Sequence, residues 1–233
     1  MTPIMIATAF TGGLAVLFVA FRFFSAEVYD MLIVPMTARW YAAVLDELAP
    51  GTRLVDVGIG TATALAKNAD VVRRKRMAVC GFDYEAAYVR KAESVVHAAK
   101  LGEQLHVCQA DARDPDLAST LGISNGWADA VYFSGSITLI PDPPRVLQNV
   151  ASLLKPGGRI FITQTFQNQP SPLMAHMKPL LRFLTSVDFG QLTYHADVTT
   201  IVKKAGMTII DDRPIKGSID TAAQTARMII IRP

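Results

Sequence analysis

Three aspartates stand where apolar, strand-like runs give way to loops: Asp56 in LVDVGIGTATAL, Asp83 in GFDYEAAYVRKA and Asp111 in QADARD. Gly58 and Gly60 follow the first, so a strand, a glycine turn and a helix opening at Thr61 are expected in succession. Glycines in such a turn let the backbone approach a ligand closely, and the amides that open the helix face it. A carboxylate at Asp56, inside the first strand, would repel a pyrophosphate and favour a ligand carrying an ammonium group. Asp83 ends the second strand, where an acid can bind ribose hydroxyls. Asp111 ends the third and could read an adenine edge. Three acids at three successive strand ends suit a cationic nucleoside better than a phosphate-rich cofactor.

The elements that must hold these acids are legible in outline. Strands read as Arg53–Val57, Arg76–Phe82, Gln104–Gln109, Ala128–Phe133 and Arg159–Thr165, and helices as Thr61–Ala69, Tyr84–Lys100 and Pro143–Leu154. The strands are short, apolar and β-branched, as expected where both faces of a parallel sheet are covered. A helix over Ala196–Ala205 and two strands, Met207–Pro214 and Ala226–Arg232, close the chain. The expected fold is α/β: a doubly wound, mostly parallel seven-stranded sheet with an antiparallel C-terminal hairpin, preceded by an N-terminal hydrophobic helix.

Composition bounds the remainder. At 233 residues the chain suits one domain with an appendage, and 51% hydrophobic against 18% charged residues is greasier than a typical soluble domain. The apolar excess gathers in IMIATAFTGGLAVLFVAFRFF, Ile4 to Phe24, whose single charge is Arg22. About 20 apolar residues span a bilayer as a helix, and a terminal arginine can snorkel to the interface. No Lys or Arg precedes the run, which argues against a secretory signal. Residues 1–26 are therefore expected to be a membrane anchor, single-pass or monotopic, with 27–50 a cap helix and 51–233 the ligand-binding domain. Arg22, near the end of the run, and Arg39 and Arg53 beyond it put the positive charge on the C-terminal side, which directs the domain to the cytosol or an organelle matrix. Cys80 and Cys108 both lie in strand-like runs, so no disulfide framework is expected and a reducing compartment is favoured. Four scattered histidines predict no metal site. A net charge of +3 gives no case for nucleic acid, and nothing in the sequence speaks to oligomeric state.

Taken together, the motifs resemble those of the class I, Rossmann-like S-adenosylmethionine-dependent methyltransferases. LVDVGIGTATAL looks like the first motif, with Ala62 in place of the usual third glycine. GFDYEAAYVRKA resembles the second and QADARD the third. ADAVYFSGSITLIPDPPRVLQNVASLLKPGGRIFITQTF resembles the fourth strand, fourth helix and fifth strand, with LLKPGGRIFI its most specific piece. Tyr29-Asp30 resembles a dipeptide near the start of the quinone-modifying, small-molecule branch. The resemblance implies S-adenosyl-L-methionine as cofactor. It implies Asp56 at the methionine ammonium, Gly58 and Gly60 beneath the methionine, and Asp83 at the ribose diol, followed by Tyr84. It puts Asp111 with the Ala112 amide at the adenine, and Ser134-Gly135 between cofactor and substrate.

A dehydrogenase is disfavoured by the missing third glycine, the place of Asp56 and the absence of a Tyr-x-x-x-Lys pair. DPPR, Asp142 to Arg145, reads as a helix cap with prolines in the first turn and not as a nucleobase-amine motif. RRKR, Arg73 to Arg76, reads as a basic loop at the amino edge of the sheet. Tyr194 and His195 are the candidate catalytic bases, if the acceptor must lose a proton. Pocket walls are expected from 31–48 and from the insertion over 166–195, where Met174, Met177, Leu180, Leu181, Phe183 and Leu184 are apolar. The expected substrate is a hydrophobic small molecule or lipid. The alternatives are a protein methyltransferase at a membrane and a non-catalytic, membrane-tethered binder of the cofactor.

Overall fold

The computed structural model describes residues 33–169 and 193–233. The expected anchor over 1–26, Tyr29-Asp30 and most of the 166–195 insertion lie outside the described residues. Among the described residues no helix is long and apolar enough to cross a membrane.

Seven strands form one sheet: β1 (Arg53–Val57), β2 (Ala78–Asp83), β3 (Leu105–Gln109), β4 (Ala128–Ser134), β5 (Leu154–Gln167), β6 (Thr208–Pro214) and β7 (Gln224–Arg232). Their order is β3-β2-β1-β4-β5-β7-β6. The first five pair in parallel, and β7 runs antiparallel to both β5 and β6. The expected hairpin therefore forms, but its second strand lies inside the sheet and its first takes the edge. Composition explains the choice. Ile229 to Ile231 of β7 are buried, whereas β6 carries Asp211, Asp212 and Arg213 and ends in Pro214. Charges and a proline blunt an exposed edge.

Alternating side chains divide the core into two layers. Leu54, Ala130, Tyr132 and Phe161 meet α1 (33–47) on one face. Val55, Val57, Val131, Phe133, Ile160 and Ile162 meet α6 (Pro143–Ala151) and α7 (His195–Lys204) on the other. Helix α1 forms because Trp40, Tyr41, Val44, Leu45 and Leu48 make an apolar stripe at helical spacing, and all five are buried. Full burial of each such side chain contributes about 1.5–3 kcal/mol. Arg39 donates to the Gly217 carbonyl and Trp40 Nε1 to Ser218 Oγ at 3.0 Å, which ties α1 to the loop between β6 and β7.

Several boundaries depart from the expected ones. The helix expected over Thr61–Ala69 is instead one turn, α2 (Thr63–Ala66), followed by a separate α3 (Ala69–Arg74). Arg76 is not in β2: it has φ 50 and belongs to the turn before it. Helix α4 covers Ala86–Ala98, so Tyr84 precedes it, and a short α5 (Leu117–Thr120) was not expected. Strand β5 is longer than Arg159–Thr165. It starts at Leu154 and absorbs Pro156 to Gly158 as a bulge between the Ala128–Leu154 and Ala130–Arg159 pairs. A Cβ on Gly158 would lie 2.9 Å from Leu154 Cδ2, so only glycine allows that bulge.

The basic RRKR stretch is largely structural. Lys75 Nζ donates to the carbonyls of Leu45 at 2.7 Å and Leu48 at 2.6 Å, at the C-terminal end of α1. Arg73 donates to the Ala99 carbonyl at 2.9 Å, just past the end of α4. Cations complete helix C-termini in this way.

Candidate active site

Strand order reverses between β1 and β4, and in a doubly wound sheet ligands bind beyond the carboxyl ends at that point. The first turn lies there, and three of its amides are tied to β2. Gly58 and Ile59 N–H both donate to the Phe82 carbonyl at 2.9 and 3.1 Å, and Gly60 N–H donates to Asp83 Oδ2 at 2.9 Å. The helix expected to open at Thr61 opens at Thr63, after the left-handed Ala62, and the three amides of the turn before it fasten that turn to β2. Gly58 has φ +72, and a Cβ there would come within 2.8 Å of Ser136 Cβ. Gly60 has φ +60 with open space around it. Ala62, where a third glycine was missed, is left-handed at φ 56 and nearly fully buried.

Asp56 is completely buried on the α1 face of β1. The Tyr41 hydroxyl donates to its Oδ2 at 2.7 Å, while Oδ1 has no hydrogen-bond partner among the described residues. Burial pushes the Asp56 carboxyl up to about 7; the Tyr41 bond opposes that rise and the nearby Asp83 carboxylate adds to it. Burial also raises the Tyr41 phenol well above its usual value. An orphaned carboxylate oxygen in a dry site is an unmet demand for a cation or donor.

Asp83 occupies the end of β2 with Oδ1 accepting from Glu85 N–H at 2.9 Å and Oδ2 from Gly60. Burial raises its carboxyl, against those backbone bonds. Tyr84 beside it is 64% exposed, which leaves its ring open to stack on a base. Asp111 ends up differently from its reading. Its carboxylate is engaged by Arg113, which donates from Nε at 3.0 and 3.2 Å and from Nη2 at 2.6 Å. That bond holds the Asp111 carboxyl below its usual range. The loop rim is therefore not purely acidic, and Arg113 is the residue that the sequence reading passed over. Ala112 is buried, with its carbonyl accepting from Asn149 at 2.8 Å. Beside them an open cleft of about 570 Å³ is lined by Asp111, Arg113, Asp114, Pro141, Asp142 and Arg145. Asp142 takes the N-cap position of α6 with prolines in the first turn, as expected, but it is left-handed and makes no side-chain capping bond.

At the end of β4, Ser134 Oγ lies near the Tyr41 and Tyr132 hydroxyls without completing a well-aligned hydrogen bond. Gly135 follows at φ +71, with Trp40 3.4 Å from where its Cβ would be and Gln164 Oε1 at 3.8 Å. Gln164 Oε1, like Asp56 Oδ1 and Ser134 Oγ, is buried with no hydrogen-bond partner among the described residues. Tyr132 and Thr163 pair their hydroxyls at 2.8 Å beneath this cluster.

Tyr194 and His195 sit at the carboxyl end of β5, two strands from β1. Tyr194 bridges to Gln167, and its N–H donates to Asp197 at 2.9 Å. The His195 ring packs edge-on against Phe166 with centroids 5.5 Å apart, and its Nε2 bonds Asp212 of β6. Arg227 donates to the other Asp212 oxygen at 2.7 Å. The structure thus separates the cofactor candidates from the base candidates and gives His195 an acidic partner that the sequence did not reveal. Cys80 and Cys108 are free thiols in β2 and β3, and no metal cluster occurs among the described residues.

A doubly wound sheet with acids at three neighbouring strand ends and an orphaned buried carboxylate beside the first turn defines a Rossmann-like enzyme for a cationic nucleoside. Residues 48–206 match the model of the methyltransferase domain, and the chain belongs to that family. It is 30% identical to a ubiquinone biosynthesis O-methyltransferase of Paracidovorax citrulli over 185 residues, 77% of this chain and 72% of that protein. It is 25% identical to a phosphatidylethanolamine N-methyltransferase of Cereibacter sphaeroides over 169 residues, 72% of this chain and 75% of the relative. A SAM-dependent methyltransferase from Aquifex aeolicus shares the fold with TM-score 0.65 at 14% identity, over 89% of this chain and 97% of that one. The protein is a methyltransferase of small-molecule type, and its cofactor is S-adenosylmethionine. The site suits that cofactor: among the described residues Asp56 Oδ1 lacks the donor that an ammonium supplies.

Proposed function

We propose that the protein is a membrane-anchored methyltransferase that moves the methyl group in line onto a hydrophobic small molecule or lipid. The cofactor supplies an activated methyl on a sulfonium. The protein's task is alignment, and positioning of that kind contributes on the order of 7–11 kcal/mol. Asp56 holds the ammonium, Gly58 and Gly60 underlie the methionine, Asp83 takes the ribose diol, and Tyr84 stacks on the base. Asp111 and the Ala112 amide read the adenine edge once Arg113 yields or shares the carboxylate. Ser134 and Gly135 separate cofactor from acceptor. His195, polarised by Asp212, takes the acceptor's proton, with Tyr194 beside it.

One observation carries the hydrophobic acceptor: the wall over the carboxyl ends of β4 and β5 is α1, which lays Met36 against Thr165 and Trp40 against Gly135. The relatives that modify a phospholipid or a quinone point the same way, as does the apolar run Ile4–Phe24. Transfer of labelled methyl into membrane extract, partitioned into organic and protein fractions, tests the reading. Label in the organic fraction is the expected result. Label in the protein fraction means a protein methyltransferase, and label in neither, with S-adenosylmethionine still bound, means a non-catalytic binder. Deletion of Met1 to Ser25 is expected to release a soluble domain that binds the cofactor.

A further inference from the structure

The carboxyl end of β5 carries a polar demand that the cofactor reading leaves unmet. Gln164 Oε1 is buried without a hydrogen-bond partner among the described residues. It lies 3.8 Å from where a Gly135 Cβ would sit, with the Trp40 ring 3.4 Å from the same point. The indole is fixed there by its own bond to Ser218, so the carbonyl oxygen cannot be relieved by a shift of Trp40. Gln164 as a whole is half-buried, while the oxygen itself is enclosed, so a ligand meets it by displacing what covers it. Along β5 it shares a face with Phe166, which packs on His195, and its cross-strand neighbour in β7 is Arg227, which pairs with Asp212. Gln164 thus stands between the cofactor side at Gly135 and the proposed base at His195.

We propose that Gln164 is a specificity-determining residue, whose Oε1 accepts a hydrogen bond from an O–H or N–H group on the methyl acceptor. A buried acceptor left unpaired is costly, and it rewards a ligand that supplies the missing donor. A site built to hydrogen-bond a substrate hydroxyl or amine discriminates strongly against the analogue lacking it. The acceptor class is therefore a phenol or an amine on an apolar body, ahead of a hydrocarbon carbon nucleophile or a thioether.

The proposal rests on the methyltransferase reading, and the test separates the two. The full chain, saturated with S-adenosylhomocysteine, is titrated calorimetrically with 4-pentylphenol, 4-pentylaniline and pentylbenzene. The wild type is expected to prefer the phenol or the aniline over pentylbenzene by about tenfold, and the stronger of the two reports whether O–H or N–H is read. Gln164→Met and Gln164→Leu should lose that preference while holding S-adenosylhomocysteine within twofold of wild type. Their melting temperatures should equal or exceed wild type, because the carbonyl has no partner to lose. No preference in the wild type, an undiminished preference in both variants, or melting several degrees lower overturns the assignment. If S-adenosylhomocysteine itself fails to bind the wild type, both readings fall together.

Discussion

The Tyr41 hydroxyl reaches across from α1 to bond Asp56 Oδ2 at 2.7 Å, and the other oxygen of the same buried carboxylate has no partner among the described residues. One residue of the cap helix therefore sets the electrostatics of the cofactor turn. On the proposed reading, the ammonium of the cofactor would complete what Tyr41 leaves open at Asp56.

Asp56, pushed up to about 7 by burial, makes cofactor binding depend on pH. Only the ionised carboxylate attracts an ammonium, so affinity for S-adenosylmethionine should fall about tenfold per pH unit below about 7 and level off above it. The ligand-free protein should respond in the opposite sense. Its carboxyl is raised relative to the unfolded chain, so the contribution to stability is full below about 4 and lost as pH climbs through about 7. Calorimetric titration and thermal melting between pH 5 and 8.5 check both trends, and Asp56→Asn should flatten both.

Tyr41→Phe removes the one side-chain donor that Asp56 has among the described residues. The variant should lose about 1–3 kcal/mol of stability. Because the Tyr41 bond lowers the Asp56 carboxyl, its midpoint for cofactor affinity should move to higher pH. An unmoved midpoint would show that the bond has no part in the site.

Ala62 holds a left-handed conformation that glycine adopts without penalty. Ala62→Gly should stabilise the protein by up to about 1 kcal/mol in denaturant unfolding, with cofactor affinity unchanged. Gly58→Ala should do the reverse. It adds strain at φ +72 and a contact of 2.8 Å with Ser136, so both stability and cofactor binding should drop.

Asp83→Ala removes the acceptor for the Gly60 and Glu85 amides along with the proposed ribose contact. Bonds to a charged acceptor are worth about 1.5–3 kcal/mol each, so cofactor affinity should weaken by more than tenfold. Asp111→Ala should cost less, since its carboxylate is engaged by Arg113 at the surface. Equal losses in the two variants would contradict this ranking.

His195→Asn should slow methyl transfer by about 10²-fold on an acceptor that must lose a proton, as removal of a general base does, with cofactor affinity intact. Asp212→Asn should lower the rate less, because it weakens the bond that orients the imidazole without removing the base. Steady-state rates across pH, alongside calorimetry with S-adenosylmethionine, distinguish this from a purely structural role.

Local chemistry wrote much of this protein into its sequence. Strand composition, the glycines at 58 and 60 and the aspartates at 56, 83 and 111 are short-range features, and each marks a strand end whatever surrounds it. They identified the sheet, its cofactor and the class of chemistry. Helix boundaries around Ala62 and Arg76 were not legible, because both residues adopt left-handed conformations that their side chains do not announce. Pairings between distant segments were also out of reach. That Tyr41 meets Asp56, that Arg113 engages Asp111, that His195 meets Asp212, and that Gln164 lacks a partner beside Gly135 follow from which elements the sheet order makes neighbours. Burial did the rest. Asp56 looks like any strand-end acid until α1 closes over it and withdraws the water that would keep its carboxyl ordinary.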